Sequence, residues 1–534
     1  LIIRESLLSS PPVLAELQRL FDEPGLEWVG HNGKFDAQFL KANLELTLEF
    51  DSDTMLMHYL LDERRGTHGL KALAARLLDA PDWEWGIQNL LRKPKTDSYA
   101  LLPEEMLHDY AKFDSDYTFR LYRLFREEMS AELLWVHDNI LMPASNAFVD
   151  IELYGVEYDP TVQAEAAAIL ETQLFDLEQE LYRINGLPFN SNSPMQVANI
   201  LYNKLKLPMI DARSTREAVL KQLGNHPFVL ALLEHRKQSK LQSTYVMGMP
   251  KVVASDGRIH TQYQLHGTVT GRLSSRNPNL QNIPREPKTI RAMFKTKPGW
   301  SFIESDYSQA ELRCFAYLSQ DPFLVKAYSE GRDIHTEVAI RMFGPEFTHE
   351  QRVAAKMVNF GLVYGRSSFA LAHDVRIPQM SPNEAVQYIS EFFAQMPVAV
   401  AWAEDVKRRA CDEGELTSMF GRKRRFDLIT STNLGEVKRQ AVNFMCQSPA
   451  SDMTLISLVR IHKWLMQFPE PRPHVMLTVH DCVIVECPDE LVQEVSKGMQ
   501  SIMQSTPMQY TDGSVPFTSD IQVGSNWGTL KELD

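Results

Sequence analysis

Cysteine is scarce in this sequence and never paired. The five thiols (Cys314, Cys411, Cys446, Cys482 and Cys487) are odd in number, lie in the second half, and form no CxxC pair or Cys/His cluster with zinc spacing. That disfavours a disulfide framework and a structural metal, and favours a reducing compartment. Long apolar runs are missing too: nothing approaches the ~20 residues of a membrane span. Positive charge is not in excess. With 55 Lys+Arg against 69 Asp+Glu the formal net charge is −14, which argues weakly against a nucleic-acid partner, although binding depends on local basic surface and not on the total. Such local surface is expected at Arg422-Lys-Arg-Arg425 and Arg408-Arg409. The first residue is Leu1, not methionine, so the native start is expected upstream.

What is present is an ordinary globular balance, 44% hydrophobic and 23% charged over 534 residues, enough for three or four domains at ~150 residues each. No repeat or low-complexity tract interrupts it. Residues 1 to about 130 mix helical periods with short strands such as Leu26–Val29, and Glu104–Met129 predicts one long amphipathic helix. From about 145 to 260 the pattern is mostly helical. Ser214-Thr-Arg-Glu217 predicts a capping box, and Pro227–Tyr245 a long helix. A Gly- and Asn-rich stretch over 267–284 predicts a long ordered loop. Ser301–Ser305 predicts a short strand, with Asp306 at its end and a helix through Leu312, Phe315 and Ala316 following. Residues 321 to about 430 read as helical, interrupted at Pro345, Pro378 and Pro397. Alternation of Val475, Leu477 and Val479, then Val483-Ile-Val485, predicts a β-hairpin with His480-Asp481 at its turn.

Three segments carry chemistry. Asp306 and Asp481 each end a predicted strand, 175 residues apart in sequence. If those strands are neighbours, two carboxylates meet at one sheet edge. Two divalent ions ~3.5–4 Å apart need such hard oxygen ligands, together with a triphosphate. Arg352, Lys356, Phe360 and Tyr364 recur every fourth residue and form one helix stripe, cations first and rings last. Arg and Lys suit β- and γ-phosphates; the rings suit stacked bases, at ~1–3 kcal/mol each. Gly365 allows close backbone approach. Arg439, Asn443 and Gln447 repeat the spacing, with donors that can reach minor-groove acceptors in any correct base pair. Each feature has a plainer structural reading by itself, as turn former, core ring or solvated face; together they point to nucleotidyl transfer. In the N-terminal part, His31-Asn-Gly-Lys-Phe-Asp36 precedes a helix, and Tyr110 and Asp114 share a helix face, a weaker pattern that suits metal-dependent phosphodiester hydrolysis.

On these residues the chain resembles a family A DNA polymerase, of the bacterial DNA polymerase I large-fragment type including phage relatives, from about residue 25 to the C-terminus. Asp306-Tyr-Ser-Gln-Ala-Glu-Leu-Arg313 resembles the first palm motif, with Ala310 where isoleucine is usual. Arg352 to Gly365 resembles the fingers helix, and Val479-His-Asp481 the second palm motif. Thr270 to Ser275, Gln281-Asn282 and the Arg439 helix resemble duplex-holding segments, and Ser239-Lys-Leu-Gln-Ser-Thr-Tyr245 the end of a thumb helix. The resemblance implies a mixed α/β right hand: an antiparallel palm sheet, helical thumb and fingers, and an N-terminal, incomplete ribonuclease H-like exonuclease domain. The expected division is 1–132 exonuclease-like, 133–264 thumb and connecting helices, 265–320 first palm part, 321–430 fingers, and 431–534 second palm part.

The same resemblance implies residue roles. Asp306 and Asp481 hold two Mg²⁺ (or Mn²⁺), and Lys356 also protonates pyrophosphate. Arg352, Lys356, Phe360, Tyr364, Gln309 and His335 face the nucleotide, and Glu311 with Tyr364 excludes a 2′-hydroxyl. Phe at 360 implies strong discrimination against dideoxynucleotides. Arg272, Gln281, Asn282, Arg439, Asn443, Gln447, His480 and Lys240 face DNA. The implied partners are primer–template DNA and deoxynucleoside triphosphates, with replisome or processivity factors beyond them; a cytoplasmic or organellar monomer without membrane attachment is expected. Two departures stand out. Cys482 replaces the usual Glu after His480-Asp481, and a thiol is a poor Mg²⁺ ligand. Asp36, Tyr110 and Asp114 resemble two exonuclease motifs, but the motif that comes first in the family, an Asp-x-Glu on a strand some dozens of residues before Asp36, is not found ahead of Asp36, so little or no hydrolysis is expected. The alternatives are a single-subunit RNA polymerase, which Glu311 disfavours, a catalytically silent DNA-binding subunit, and a dedicated exonuclease.

Overall fold

The computed structural model describes residues 3, 5–91, 99–349, 351–352, 355–356 and 382–533. Its centre is a five-stranded sheet of β1 (Trp300–Tyr307), β2 (His474–Val479), β3 (Cys482–Pro488), β4 (Ser519–Gly524) and β5 (Lys531–Glu532). The spatial order is β2-β3-β1-β4-β5, with every neighbouring pair antiparallel. The earliest strand is thus the middle one, and its neighbours come from the last tenth of the chain. Phe302, Ile303 and Ser305 are fully buried, as in a strand covered on both faces. The strand runs past its expected end because β3 and β4 pair with it as far as Asp306 and Tyr307. Asp306 therefore lies inside the ladder, not beyond it.

In the N-terminal part, α1 (Gly33–Leu44), α2 (Thr54–Leu61), α3 (Leu70–Leu78) and α4 (Glu104–Glu128) pack beside a short parallel pair, Val29–Gly30 with Ser52–Asp53. The strand expected over Leu26–Val29 shrinks to this pair: Leu26 is exposed, and the Trp28 amide donates to the Asp51 carboxylate at 2.7 Å. Buried Asp53 organises two helix starts at once. It accepts from the amides of Asn32 (3.0 Å) and Gly33 (2.8 Å) and caps α2 through Met55 (2.9 Å), satisfying donors that helix ends otherwise leave orphaned.

Next come α5 (Met142–Tyr154), α6 (Pro160–Asn185) and α7 (Pro227–Lys240). α6 begins as its sequence dictates, with Asp159 capping Thr161 at 2.9 Å and Pro160 in the first turn, and stops at Gly186, φ +77°. Beyond Lys240 the helix continues as a π-turn, Leu241–Val246, so the long helix expected to Tyr245 is there with one widened turn. The capping box at Ser214 is not. The helix starts only at Glu217, which pairs with Lys221, while Ser214 Oγ accepts from the Arg216 amide at 3.3 Å. Leu181, Leu201, Phe228 and Leu232 form a separate small core, whereas the N-terminal helices share the core of the central sheet, with Phe148 stacked on Tyr263 at 4.6 Å.

After β1 come α8 (Ala310–Ser319) and helices at Pro322–Ser329, Ile334–Phe343, Pro382–Phe393 and Pro397–Asp412. The helical reading fails after Asp412, where Glu415–Thr417 pairs with Lys423–Arg425 across a turn containing Gly421, φ +106°. This hairpin also changes the meaning of the basic run. Arg422 is buried against Asp452, Lys423 pairs with Glu415 at 2.7 Å, and Arg424 and Arg425 reach Glu63 at 3.4 and 2.7 Å. Arg408 and Arg409 pair with Asp405. The expected basic run at 422–425 is drawn into ion pairs within the fold, whereas Arg408 and Arg409 stay on the surface beside Asp405. Finally α9 (Leu434–Leu465) and α10 (Val492–Met508) cover one sheet face, where Tyr307 bonds Ser457 Oγ at 2.8 Å and the Met503 carbonyl at 2.6 Å. Among the described residues no helix is long and apolar enough to cross a membrane.

Candidate active site

The sheet register answers whether the two aspartates meet. β3 lies beside β1 with Cys482 directly opposite Asp306, so Asp481, one residue earlier at the β2–β3 turn, projects from the same edge. The turn is tight: His480 has φ +57°, and the Tyr307 amide donates to the Asp481 carbonyl at 3.2 Å. Gln281 holds it from the side, donating to the Thr478 carbonyl at 2.6 Å and accepting from the His480 amide at 3.1 Å. Its buried amide thus positions the turn; Asn282 beside it is exposed. Burial pushes the Asp481 carboxyl up to about 6, with Glu311 and Asp306 adding to the rise and Arg272 opposing it. Glu311 in α8 is buried and paired with Arg272. Asp306 accepts from Arg285 at 2.7 Å.

A divalent cation fits this donor set. The carboxylates are hard oxygen donors, and their mutual repulsion is what a cation relieves. Cys482 does not add to it: the thiol is buried and pushed well above its usual range by desolvation and by the Glu304 and Asp306 charges. Among the described residues no group of three or more His, Cys, Asp or Glu converges as a metal site, so bound ions would complete their shells with ligand or water oxygens.

Asp333 is the hub that ties Gln309, His335 and Arg352 together. It accepts from Gln309 Nε2 at 2.9 Å, from the His335 amide at 3.1 Å and from Arg352 Nε at 3.1 Å. Burial works against the charge, yet hydrogen bonds from Thr336 and Arg352 hold its carboxyl down to about 2. His335 is buried and lowered to about 4 by desolvation, with the Lys356 and Arg352 cations adding to the fall. Burial and the charges of Arg285 and Arg352 also pull Lys356 down. Phe360, Tyr364 and Gly365 lie outside the described residues. On α9, Asn443 and Gln447 are the two positions not buried between 441 and 450, and Arg439 is exposed one turn before them. The stripe leads to a small pocket lined by Arg272, Gln281, Thr454 and His480.

A family model, DNA polymerase family A, matches residues 161–529, and a second, 3'-5' exonuclease, matches residues 3–130. This chain belongs to DNA polymerase family A. DNA polymerase I of Chloroflexus aurantiacus is 34% identical across 98% of this chain and 57% of its own length. The DNA polymerase of Bacillus phage SP01 is 30% identical across 97% of this chain and 64% of its own length. The POL domain of Pol1 from M. smegmatis, solved in complex with DNA primer-template and dNTP, superposes with a TM-score of 0.84 at 26% identity, over 98% of this chain and 90% of that one. The chain spans little more than half the length of the curated DNA polymerase I relatives, 57% and 58% for the first two. The right-hand fold expected from the motifs is therefore the family A fold, with the N-terminal unit its exonuclease-type domain.

Within that family A framework the exonuclease-type domain brings a lysine against Tyr110 and Asp114. Lys71 of α3 donates to Tyr110 Oη at 2.8 Å, pairs with Asp114 at 2.8 Å and lies 4.5 Å from the Tyr110 ring centroid. Trp83 Nε1 donates to the same Asp114 at 2.8 Å. Asp36 stays close enough to feel both Asp53 and Asp114, and desolvation with those charges pushes it up to about 6. The structure thus brings Asp36 and Tyr110 near Asp114, with the Lys71 cation bonded to the last two. Lys240 is exposed at the end of α7, remote in sequence from these sites. Sequence reasoning overlooked Arg285, Asp333 and Lys71. Arg285 directly follows Asn282-Ile-Pro284 in the loop already singled out, and Asp333 sits at a helix N-cap position two before His335, so both had local signals. Lys71 had none.

Proposed function

We propose that this family A chain is a DNA-directed DNA polymerase, adding deoxynucleotides to a primer 3′ end in replication or repair. The observation that carries the reading is the register placing Asp306 and Asp481 at one sheet edge, with Glu311, Arg285 and Lys356 within electrostatic reach. Asp306 and Asp481 are the residues that would hold two Mg²⁺, Mn²⁺ being able to substitute. When bound, such ions neutralise the triphosphate and lower the pKa of the primer hydroxyl. Arg352 would exchange Asp333 for the β- and γ-phosphates, with His335 and Gln309 shaping that wall. Lys356, its pKa already pulled down, is suited to hand a proton to departing pyrophosphate. Glu311, fixed by Arg272, excludes a 2′-hydroxyl together with Tyr364, and Phe360 stacks on the incoming nucleotide.

DNA would run past Arg272, Gln281, Asn282 and His480 along the Arg439, Asn443 and Gln447 stripe, with Lys240 on the far bank. The division into 1–132, 133–264, 265–320, 321–430 and 431–534 belongs to the same reading, as do a monomeric state and replisome or processivity partners. In this reading the N-terminal unit contributes little hydrolysis, with the Asp114 carboxylate already paired to the Lys71 ammonium. The deciding experiment is primer extension with Asp306→Ala and Asp481→Ala. Both should abolish extension while duplex binding survives, and retained extension in either defeats the assignment. Preference for dATP over ATP separates this reading from an RNA polymerase, and degradation of single strands would favour an exonuclease.

A further inference from the structure

The turn joining β1 to α8 has to carry Asp306 at one end and Glu311 at the other, and it is strained. Gln309 sits at φ +59°, a left-handed conformation that costs a non-glycine residue on the order of 1 kcal/mol or more. Something must hold it there, and the holding groups come from the C-terminal strand. Asp520 of β4 lies directly opposite Asp306, on the flank away from Cys482. Its carboxylate accepts from Ser308 Oγ at 2.7 Å, and the Ser308 amide donates to the Thr518 carbonyl at 2.9 Å.

Arg313, one turn into α8, closes the loop from below. It donates to the Ser308 carbonyl at 2.7 Å, to Thr518 Oγ1 at 2.8 Å and to the Pro516 carbonyl, and its guanidinium lies 4.6 Å from the Tyr328 ring centroid. Tyr328 in turn donates to Gln309 Oε1 at 3.0 Å. Asp520 and Asp306 also line one cavity of about 310 Å³. Two carboxylates placed directly across a strand pair repel and are destabilising. Here Arg285 satisfies one and the Ser308 hydroxyl the other.

We infer that Asp520 is a positioning residue for nucleotidyl transfer, acting through Ser308 to fix the turn that sets Asp306 and Glu311 relative to each other. This rests on the polymerase reading above. The bond is between a neutral hydroxyl and a carboxylate, so an amide oxygen in place of the carboxylate can still accept it. Without an acceptor the turn can relax at Gln309 and shift both carboxylates. Misplacement of a reacting group by ~1 Å costs up to about a hundredfold in rate.

The test is single-turnover incorporation of dATP and of ATP, with amide exchange over residues 307–311, in the wild type, Asp520→Ala, Asp520→Asn, Ser308→Ala and the double alanine variant. Asp520→Ala and Ser308→Ala should each slow dATP incorporation roughly tenfold, narrow the dATP/ATP preference and speed exchange in the turn. Duplex affinity should not change, the double variant should be no worse than either single, and Asp520→Asn should restore most of the rate. Wild-type rates in Asp520→Ala, multiplicative losses in the double variant, or an Asn variant as poor as the alanine would each overturn the inference. If the wild type extends no primer, the polymerase reading fails instead, and unchanged exchange in Asp520→Ala still overturns the clamp.

Discussion

Replacing Arg422 by methionine should cost far more than the loss of one surface cation. The guanidinium makes three contacts with Asp452, at 2.9, 3.0 and 2.8 Å, and the two side chains are 4% and 0% exposed. Methionine fills much of the volume but strands a carboxylate in the interior, and removing one member of such a pair costs about 3–5 kcal/mol. The stranded group has one escape, which is to take up a proton. Burial already raises the Asp452 carboxyl against the pull of Arg422; with Arg422 gone that pull is lost, and in the variant its folded pKa lies further above the unfolded value. A group raised in this sense destabilises as pH rises and recovers as pH falls, by about 1.4 kcal/mol per pH unit across the shifted window. Urea unfolding of wild type and variant, run side by side at pH 7.5 and 5.5, should therefore show a deficit that shrinks on acidification. Removing both charges, as in Arg422→Met with Asp452→Leu, should recover most of the loss, because a well-packed apolar pair does not need compensation. A deficit below about 1 kcal/mol at pH 7.5, a deficit independent of pH, or a double variant as unstable as the single would refute the reasoning. The consequence reaches the site, since the Arg422 guanidinium lies against Gly271 (φ +84°), where a Cβ would sit 2.9 Å from its Nε. Gly271 immediately precedes Arg272, the partner of Glu311.

Acid should destabilise the wild type well above the usual carboxylate range. Burial holds His58, His266, His335 and His474 each at about 4, against about 6.5 unfolded, so the unfolded chain takes up protons that the folded chain refuses. Their contribution is complete above pH ~6.5 and is lost as pH falls through about 4; a thermal midpoint that is flat from pH 7.5 to 5 would contradict this. Gly498→Ala in α10 places a methyl 2.1 Å from the Trp464 ring, and overpacking of about 1–3 kcal/mol outweighs the ~1 kcal/mol that alanine gains in helix propensity; urea melts decide, and Trp464→Leu should relieve the penalty. Phe360→Tyr should let dideoxynucleotides terminate chains about tenfold or more efficiently, and unchanged discrimination would place residue 360 away from the sugar.

Local patterns were legible where the chain's neighbours are themselves local. The helix expected over Glu104–Met129 is found as Glu104–Glu128, and the hairpin turn falls on His480-Asp481, because periodicity and turn chemistry act within a few residues. The two aspartates could be suspected but not paired, since nothing in a strand's alternation says which strand lies beside it. The basic run misled for the same reason: Arg425 and Glu63 are 362 residues apart, so four cations that look solvated in sequence are mostly spent on carboxylates from elsewhere. Lys71 looked like any residue of an amphipathic helix until Tyr110 and Asp114 came to stand across from it. Motif resemblance bridged the gap for Asp306 and Asp481, which the sheet brings together, because it carries three-dimensional information that periodicity lacks.

The order of strands in the central sheet also has a meaning in time. β1 is complete once residue 307 has been made, but its two neighbours arrive only with residues 482–488 and 519–524. At about 5–20 residues per second of synthesis, the interval from β1 to the end of β4 is roughly 10 to 40 seconds. Until residue 488 a strand bearing Phe302 and Ile303 waits on the ribosome with both edges bare, and until residue 524 with one edge bare, the condition that invites wrong pairing. The helices of the N-terminal unit can settle during that wait; the carboxylate edge cannot. A message broken anywhere before Ser519 would therefore yield not a weakened form of this fold but a chain whose middle strand still lacks a neighbour.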